Sequence, residues 1–138
     1  MDETTLCLNQ SKTKILIVAP PAVKYQIIVS GVIVDNTCCI RLVDSARNLG
    51  VIIDSFLAFN IQINEVVKLC FNTIRKLYKI KVYLSHEHMK TLASSLIFSS
   101  LDYCNSLYYG LPENTIQKLQ RVQNCAARLV TNTSFQST

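Results

Sequence analysis

Residues 61–80 read IQINEVVKLCFNTIRKLYKI, and this stretch decides the fold because the periodicity of the chain changes there. Apolar residues recur every three to four positions, which predicts one buried face of an α-helix. The positions on that face are Ile63, Val67, Cys70, Ile74 and Leu77. At about 100° per residue, the opposite face carries Lys68, Asn72, Arg75, Lys76 and Lys79. The stretch therefore predicts an amphipathic helix whose exposed face is basic.

Two further helices are predicted C-terminal to this stretch. Ser85 is a suitable N-cap, and Glu87 follows in the first turn, where a negative charge is favourable. This helix is predicted to run toward Leu107, with Met89, Leu92, Leu96, Tyr103 and Leu107 facing inward. Gly110 ends it and Pro112 opens the third helix, at a position where the missing N–H costs nothing. The inward residues of the third helix are Ile116, Leu119, Val122, Ala126 and Val130, and the outward ones are Lys118, Arg121 and Arg128.

N-terminal to residue 60, the pattern is typical of short β-strands. Ile- and Val-rich runs predict strands at Ile15–Ala19, Tyr25–Ser30, Cys38–Val43 and Leu49–Asp54. The predicted breaks are Pro20-Pro21, the segment from Gly31 to Asn36, and a five-residue hairpin turn from Asp44 to Asn48. Gly50 allows the backbone to bend or to approach another group closely. The sequence thus predicts an α+β fold, with strands in residues 1–59 and three helices in residues 60–138.

Composition limits the class of protein. Of 138 residues, 49% are apolar and 17% are charged, which excludes intrinsic disorder. No apolar run is long enough to span a membrane, and the N-terminus MDETTLCLNQ has no secretory signal. The six cysteines contain no C-x-x-C pair, so they are interpreted as reduced thiols of an intracellular protein, cytoplasmic or nuclear and not secreted.

Charge is distributed unevenly along the chain. The formal net charge is +5, and residues 1–59 sum to zero, so the whole excess lies in residues 60–138. No acidic residue occurs between Glu65 and Glu87, whereas five basic residues do. A basic half beside a neutral half indicates a polyanionic partner, and helical spacing lets Lys68, Arg75, Lys76 and Lys79 follow a phosphate backbone. Tyr78, Tyr83, Tyr108 and Tyr109 are suited either to stack on bases or to fill the core and its rim.

The residues that catalysis requires are sparse. The sequence has no D-D, D-x-D or H-E-x-x-H motif and no glycine-rich phosphate loop. The two histidines, His86 and His88, diverge on a helix, and no cysteine is paired with either of them by spacing. From its own residues, the chain is predicted to be non-catalytic.

Several segments of the chain occur in a distinctive order. The first is Leu8-Asn9-Gln10-Ser11-Lys12-Thr13-Lys14-Ile15-Leu16-Ile17, and the second is Arg47-Asn48-Leu49-Gly50-Val51-Ile52-Ile53-Asp54. The helix Ile61 to Ile80 comes next. Then follow Leu101-Asp102-Tyr103-Cys104-Asn105-Ser106-Leu107, Gly110-Leu111-Pro112 and Leu119-Gln120-Arg121-Val122-Gln123-Asn124-Cys125-Ala126-Ala127-Arg128-Leu129. This order resembles that of non-LTR (LINE-type, jockey- or CR1-like) retrotransposon reverse transcriptases. In that family the first segment follows the catalytic Asp-Asp strand of the palm, and the second is similar to the palm-closing hairpin.

The resemblance covers roughly residues 6–130 and implies the end of a palm followed by a thumb-like bundle. It implies that Lys12 lies near the phosphates of an incoming nucleotide, and that Leu49 and Gly50 approach the primer end. The basic face of the first helix would then follow the template–primer duplex, an RNA–DNA hybrid or DNA. The fingers and the catalytic aspartates would precede residue 1, so no cofactor is expected in this chain and Mg²⁺ only in the complete polymerase. A retained non-catalytic module that binds nucleic acid or another protein is the alternative.

Overall fold

The structure is a computed structural model, and it describes residue 9 and residues 11–27, 31–34, 38–103 and 105–132. The chain divides into two units, residues 1–58 and residues 59–138. The first unit contains two small β-sheets, and all the long helices lie in the second. The predicted mixed α+β class is therefore confirmed.

The larger sheet of the first unit has three short strands. They are β1 (Ile15–Leu16), β2 (Gly31–Val34) and β3 (Cys38–Val43). The order is β1-β3-β2, with β1 parallel and β2 antiparallel to β3. The strand predicted at Cys38–Val43 is confirmed, whereas β1 is shorter than the predicted Ile15–Ala19.

The strand predicted at Tyr25–Ser30 is wrong in its described part. Pro20-Pro21 starts a single helical turn, α1 (Pro21–Lys24), because proline fixes φ at a helical value in the first turn. The Pro20 carbonyl accepts hydrogen bonds from the amides of Val23 and Lys24, and the turn continues through Tyr25. Residues 28–30 lie outside the described part of the chain.

The segment from Gly31 to Asn36 was predicted to be a turn, but Gly31 begins strand β2. Residues 35 and 36 lie outside the described ranges. Gly31 pairs with Arg41 of β3. A Cβ atom at Gly31 would lie 2.8 Å from the Ile40 carbonyl oxygen and 2.9 Å from the Cys39 sulfur. Glycine is required here for close approach between two strands, a use that cannot be distinguished from turn formation by sequence alone.

The second sheet is a hairpin of β4 (Ser45–Asn48) and β5 (Val51–Asp54). The predicted five-residue turn from Asp44 to Asn48 is wrong, because four of its residues form β4. The connection consists of Leu49 and Gly50, both with positive φ (48° and 82°), the signature of a two-residue hairpin turn of type I′.

The second unit begins with the helix that the sequence predicted at 61–80. It is α2 (Asn60–Ile80), and a 3₁₀ turn at Lys81–Tyr83 follows it. Ile63, Cys70, Ile74 and Leu77 of the predicted inner face are buried, and Val67 is half-buried. The preceding residue, Phe59, has a left-handed backbone conformation and a buried side chain. Its ring packs edge-on against the Tyr108 ring, with the two ring centres 6.1 Å apart.

The middle helix is interrupted. It consists of α3 (His86–Ala93), a π-helical turn at Ser94–Phe98, α4 (Ser99–Asp102) and a 3₁₀ turn at Asn105–Tyr108. Ser85 caps α3 as predicted, since its Oγ accepts the His88 amide at 3.3 Å.

The predicted inner face of this middle helix is correct only at its start. Met89 is buried and Leu92 is half-buried, but Leu96, Tyr103 and Leu107 are exposed. The buried positions are instead Ala93, Ile97 and Leu101. The buried row of Met89, Ala93, Ile97 and Leu101 recurs every four residues, a spacing that the wider π turn within it keeps on one face of the helix.

The last helix is α5 (Glu113–Thr131), and Gly110 precedes it with φ of 80°. Pro112 was predicted to be the first residue of this helix. In the structure it is the N-cap, and the helix begins one residue later, at Glu113. Val122 and Ala126 are buried as predicted, and Ile116, Leu119 and Val130 are half-buried.

The core of the second unit is formed by one buried row from each of three helical segments. These rows are Cys70, Ile74 and Leu77 from α2; Met89, Ala93, Ile97 and Leu101 from the middle segment; and Val122, Ala126 and Leu129 from α5. Packing of these rows leaves the opposite face of α2 exposed.

Candidate nucleic-acid interface

The exposed face of α2 carries the predicted basic residues. We call Lys68, Arg75, Lys76 and Lys79 the α2 stripe; all four side chains are exposed. Lys68, Arg75 and Lys79 lie within about 40° of one another around the helix axis, and Lys76 flanks them. At 1.5 Å rise per residue, the stripe extends about 16 Å along α2. The structure therefore brings the four predicted residues onto one face.

Few groups in the described part of the chain neutralise the stripe. Within the described residues, no carboxylate lies within 4.0 Å of the amino groups of Lys68, Lys76 or Lys79. The Arg75 guanidinium donates to the Asn72 side-chain oxygen at 3.2 Å, a neutral partner that leaves its charge uncompensated. The stripe is thus an exposed row of positive charge.

Two tyrosines lie beside the C-terminal end of the stripe. The side chains of Tyr78 and Tyr83 are 56% and 86% exposed, and Tyr109 is also exposed, whereas Tyr108 is buried. The Lys81 ammonium lies 5.0 Å from the centre of the Tyr78 ring, within the range of a cation–π contact. Of the four predicted tyrosines, only Tyr108 is therefore a core residue.

Lys12 lies in the first unit, in a turn organised by Asn9. The Asn9 carbonyl accepts hydrogen bonds from the backbone amides of Lys12 and Thr13 and from the Thr13 hydroxyl. The Lys12 side chain is exposed. Leu49 and Gly50 form the tip of the β4–β5 hairpin, and the Leu49 side chain is 83% exposed.

A cleft of about 650 Å³ adjoins Lys12 within the first unit. It is lined by Ser11, Lys12, Lys14, Leu16, Ala46, Arg47, Asn48 and Ile53. Sequence reasoning assigned roles to Lys12 and to the hairpin tip but missed Lys14 and Arg47. These two residues are far apart in sequence, so no local motif could have indicated that their side chains share a cleft.

Among the described residues, the histidines and cysteines form no catalytic arrangement. His86 and His88 are exposed, and His88 Nδ1 lies 3.0 Å from the Ser85 hydroxyl. Burial raises the pKa of the Cys70 thiol, which keeps it protonated and poorly nucleophilic. Within the described ranges, no three His, Cys, Asp or Glu side chains are grouped closely enough to hold a metal ion.

Comparisons of the chain with models of protein families, with curated proteins and with solved structures found no match. None of the helices in the described part of the chain is both long and apolar enough to cross a lipid bilayer.

Proposed function

We propose that this chain is the C-terminal palm segment and thumb-like region of a non-LTR-type reverse transcriptase. In isolation it binds an RNA–DNA hybrid or a DNA duplex without catalysing polymerisation. The observation that carries the binding function is the α2 stripe: three exposed lysines without a described carboxylate within 4.0 Å, and an arginine bonded to an amide. Each cation that contacts a phosphate releases counterions, so such a row favours a nucleic-acid backbone.

Two further observations support the assignment to a polymerase. The segment Arg47–Asp54, which resembles the palm-closing hairpin, spans most of a β-hairpin with a two-residue turn at Leu49-Gly50. The segments that resemble the family's C-terminal part lie in a bundle of three helical segments. Both features are those that the resemblance implies for the end of a palm and a thumb.

The described carboxylates offer no site for the Mg²⁺ ions of a polymerase. Asp44 is 2.7 Å from the Lys24 ammonium, and Asp54 accepts two backbone amides, from Phe56 and Ala58, at 3.0 Å each. We therefore assign no catalytic step to this chain, and its partners would be the fingers and catalytic palm of the parent polymerase. The chain incubated with a primed RNA template, Mg²⁺ and nucleotides should extend no primer, and any extension would overturn this assignment.

The salt dependence of duplex binding tests the proposed interface. Fluorescence anisotropy with a labelled RNA–DNA hybrid should give a slope of log K against log salt of about −3 to −4 if three to four phosphates are contacted. The double variant K68Q/K79Q should reduce the magnitude of that slope by about 2.

The matched control is K90Q/R121Q, which removes the same charge from exposed positions on α3 and α5. It should leave the slope within about 0.5 of the wild-type value under the same phosphate-counting rule. If the two double variants reduced the slope equally, binding would depend only on net charge. The α2 stripe would then not be the interface.

Exposed apolar side chains favour a protein-interaction module as the second candidate. On the helical unit, Leu69 is 56% and Val82 is 89% exposed. Apolar docking is insensitive to moderate salt, in contrast to phosphate binding. A duplex affinity that does not change between 50 and 200 mM salt would therefore favour this candidate.

A further inference from the structure

The α2 stripe is followed directly by exposed apolar and aromatic side chains. The 3₁₀ turn Lys81–Tyr83 begins at the residue after the last one of α2. Within this turn, Val82 is 89% and Tyr83 is 86% exposed. Burial of side chains of this size is favourable, and neighbouring exposed apolar groups on a folded unit mark a contact site. The turn is therefore a surface suited to a partner.

Helical spacing places Tyr83 on the same side as the stripe. Lys76, Lys79 and Tyr83 occur at positions i, i+3 and i+7, which share one face of a continuous helical segment. At a rise of about 1.5–2.0 Å per residue, Tyr83 lies roughly 6–8 Å beyond Lys79 along the axis. The row of cations is thus extended by an aromatic residue.

Tyr78 flanks the turn, but its surroundings differ from those of Tyr83. The ammonium of the half-buried Lys81 lies 5.0 Å from the centre of the Tyr78 ring, so a cation occupies one face of that ring. Tyr78 is also less exposed, at 56%. Tyr83 is therefore the tyrosine better placed to offer a ring face to a ligand.

The charges around Tyr83 favour an anionic ligand. From Val66 to His86 every residue is described, and this stretch contains five basic residues and no acidic one. All four acidic residues of the stretch 60–138 belong to the described part of the chain. Glu87 is the nearest of them to Tyr83 in sequence, and it lies in the first turn of α3, where the helix dipole favours a negative charge. A ligand that carries phosphates would balance the positive charge of this stretch.

Nucleic-acid bases combine a flat apolar face with a phosphate backbone. In a duplex the faces of the bases are covered by their neighbours, so a base that stacks on a side chain must be unpaired. We propose that Tyr83 is a base-stacking residue for a single-stranded segment that extends from a duplex bound on the α2 stripe. The inference rests on the proposed function and specifies the form of the ligand, a duplex with an unpaired tail. It gives Tyr83 a role that neither the stripe nor the resemblance includes.

Fluorescence anisotropy tests the proposal by comparing a blunt RNA–DNA hybrid with the same hybrid carrying a short single-stranded tail, placed on each strand in turn. The wild-type chain should bind one of the tailed hybrids at least about fivefold more tightly than the blunt one, because base–aromatic stacking contributes at least that factor. Y83A should lose this gain and keep the affinity for the blunt hybrid. Y83F should keep the gain, whereas Y83L, which retains an apolar side chain without an aromatic ring, should lose it.

The matched control is Y109A, which removes a tyrosine that is 95% exposed. Tyr109 precedes α5, and Lys118 of α5 contacts Asn64 near the start of α2, so Tyr109 lies toward the opposite end of α2 from Tyr83. Y109A should therefore keep the gain from the tail within about twofold of the wild-type value. Equal losses in Y83A and Y109A, or a gain that Y83L retains, would overturn the proposal.

Photocrosslinking provides a test on the wild-type chain that depends on no variant. A tail that contains 5-iodouracil should crosslink to Tyr83, and mass spectrometry of the digested complex identifies the modified position. Crosslinks confined to other residues would overturn the stacking role of Tyr83.

The stacking proposal and the duplex interface fail in different ways. K68Q/K79Q should weaken binding of the blunt and the tailed hybrid by the same factor, so the gain from the tail should remain. Binding of the blunt hybrid that depends on the stripe, without any gain from a tail, would overturn the stacking proposal alone. Crosslinking of a tail to Tyr83 without binding of the blunt hybrid would support stacking and overturn the duplex interface. Binding of neither hybrid would overturn both.

Discussion

The Lys118 ammonium lies 2.9 Å from the side-chain oxygen of Asn64, a contact that joins α5 to α2 across 54 positions of sequence. Lys118 is half-buried, and Asn64 is exposed. The amide is neutral, so the hydrogen bond occupies Lys118 without cancelling its charge. This relationship explains why Lys118, predicted to face outward, contributes to helix packing.

Replacing either partner should destabilise the helical unit only slightly. N64A and K118M should each lower the free energy of unfolding by about 0.5–1 kcal/mol, because solvent screens an exposed charge-assisted bond. Urea unfolding followed by helical circular dichroism measures the effect. In a double-mutant cycle, the coupling should be less than about 1 kcal/mol; a coupling of zero would mean that the two side chains do not interact in solution.

The π turn predicts a difference between two adjacent residues. Ile97 is completely buried, so I97A should cost about 2–5 kcal/mol of unfolding free energy. Leu96 is 46% exposed, so L96A should cost less than about 1 kcal/mol. Thermal and urea unfolding of the two variants provide the test. The reverse order would mean that the helix is regular and buries the face that the sequence pattern predicted.

The hairpin tip predicts opposite effects at its two positions. Gly50 has φ of 82°, so G50A should lower stability by about 1 kcal/mol through left-handed strain. Leu49 has φ of 48° and an exposed side chain, so L49N should raise stability by a few tenths of a kcal/mol, because asparagine tolerates this conformation. Unfolding curves of the two variants decide the matter. If G50A were as stable as the wild type, the turn would have another geometry.

Cys70 predicts a loss of stability at alkaline pH. Burial raises the pKa of its thiol, so the folded state keeps the proton while the unfolded thiol ionises above about pH 8.5. The contribution is complete below that pH and is lost as pH rises toward the folded pKa, by up to about 1.4 kcal/mol per pH unit. The C70V variant should show a correspondingly shallower alkaline slope in urea unfolding. An unchanged slope would assign the alkaline loss to other groups.

Thiol labelling gives an independent check of the same residue. The exposed Cys39 should react rapidly with an aromatic disulfide reagent at neutral pH, whereas the buried Cys70 should react only on unfolding. Mass spectrometry of partially labelled protein identifies the modified positions. Rapid labelling of Cys70 in the folded protein would contradict its burial.

The strand region shows where sequence prediction failed and why. A strand at Cys38–Val43 was predictable from its run of apolar residues, which is interrupted at Arg41 alone. Pro20-Pro21 and Gly31 were also visible, but a proline pair can end a strand or begin a helix, and glycine can form a turn or admit a neighbouring strand. At Gly31 the choice is made by a neighbouring strand, because a Cβ atom there would lie 2.8 Å from the Ile40 carbonyl oxygen. That neighbour is supplied by the tertiary fold and is not visible in the local sequence.

The sequence by itself determined the α+β class, the helix at α2, the Ser85 cap and the basic face of Lys68, Arg75, Lys76 and Lys79. Each of these features depends on the hydrophobic period, the spacing of charges or the capping residue of a single segment, so local geometry is sufficient to predict it. The tertiary structure alone decided which face of the middle helix is buried at Ile97 and that Lys14 and Arg47 line the same cleft. Both depend on contacts between distant segments, and no pattern within one segment encodes which distant side chains will become neighbours.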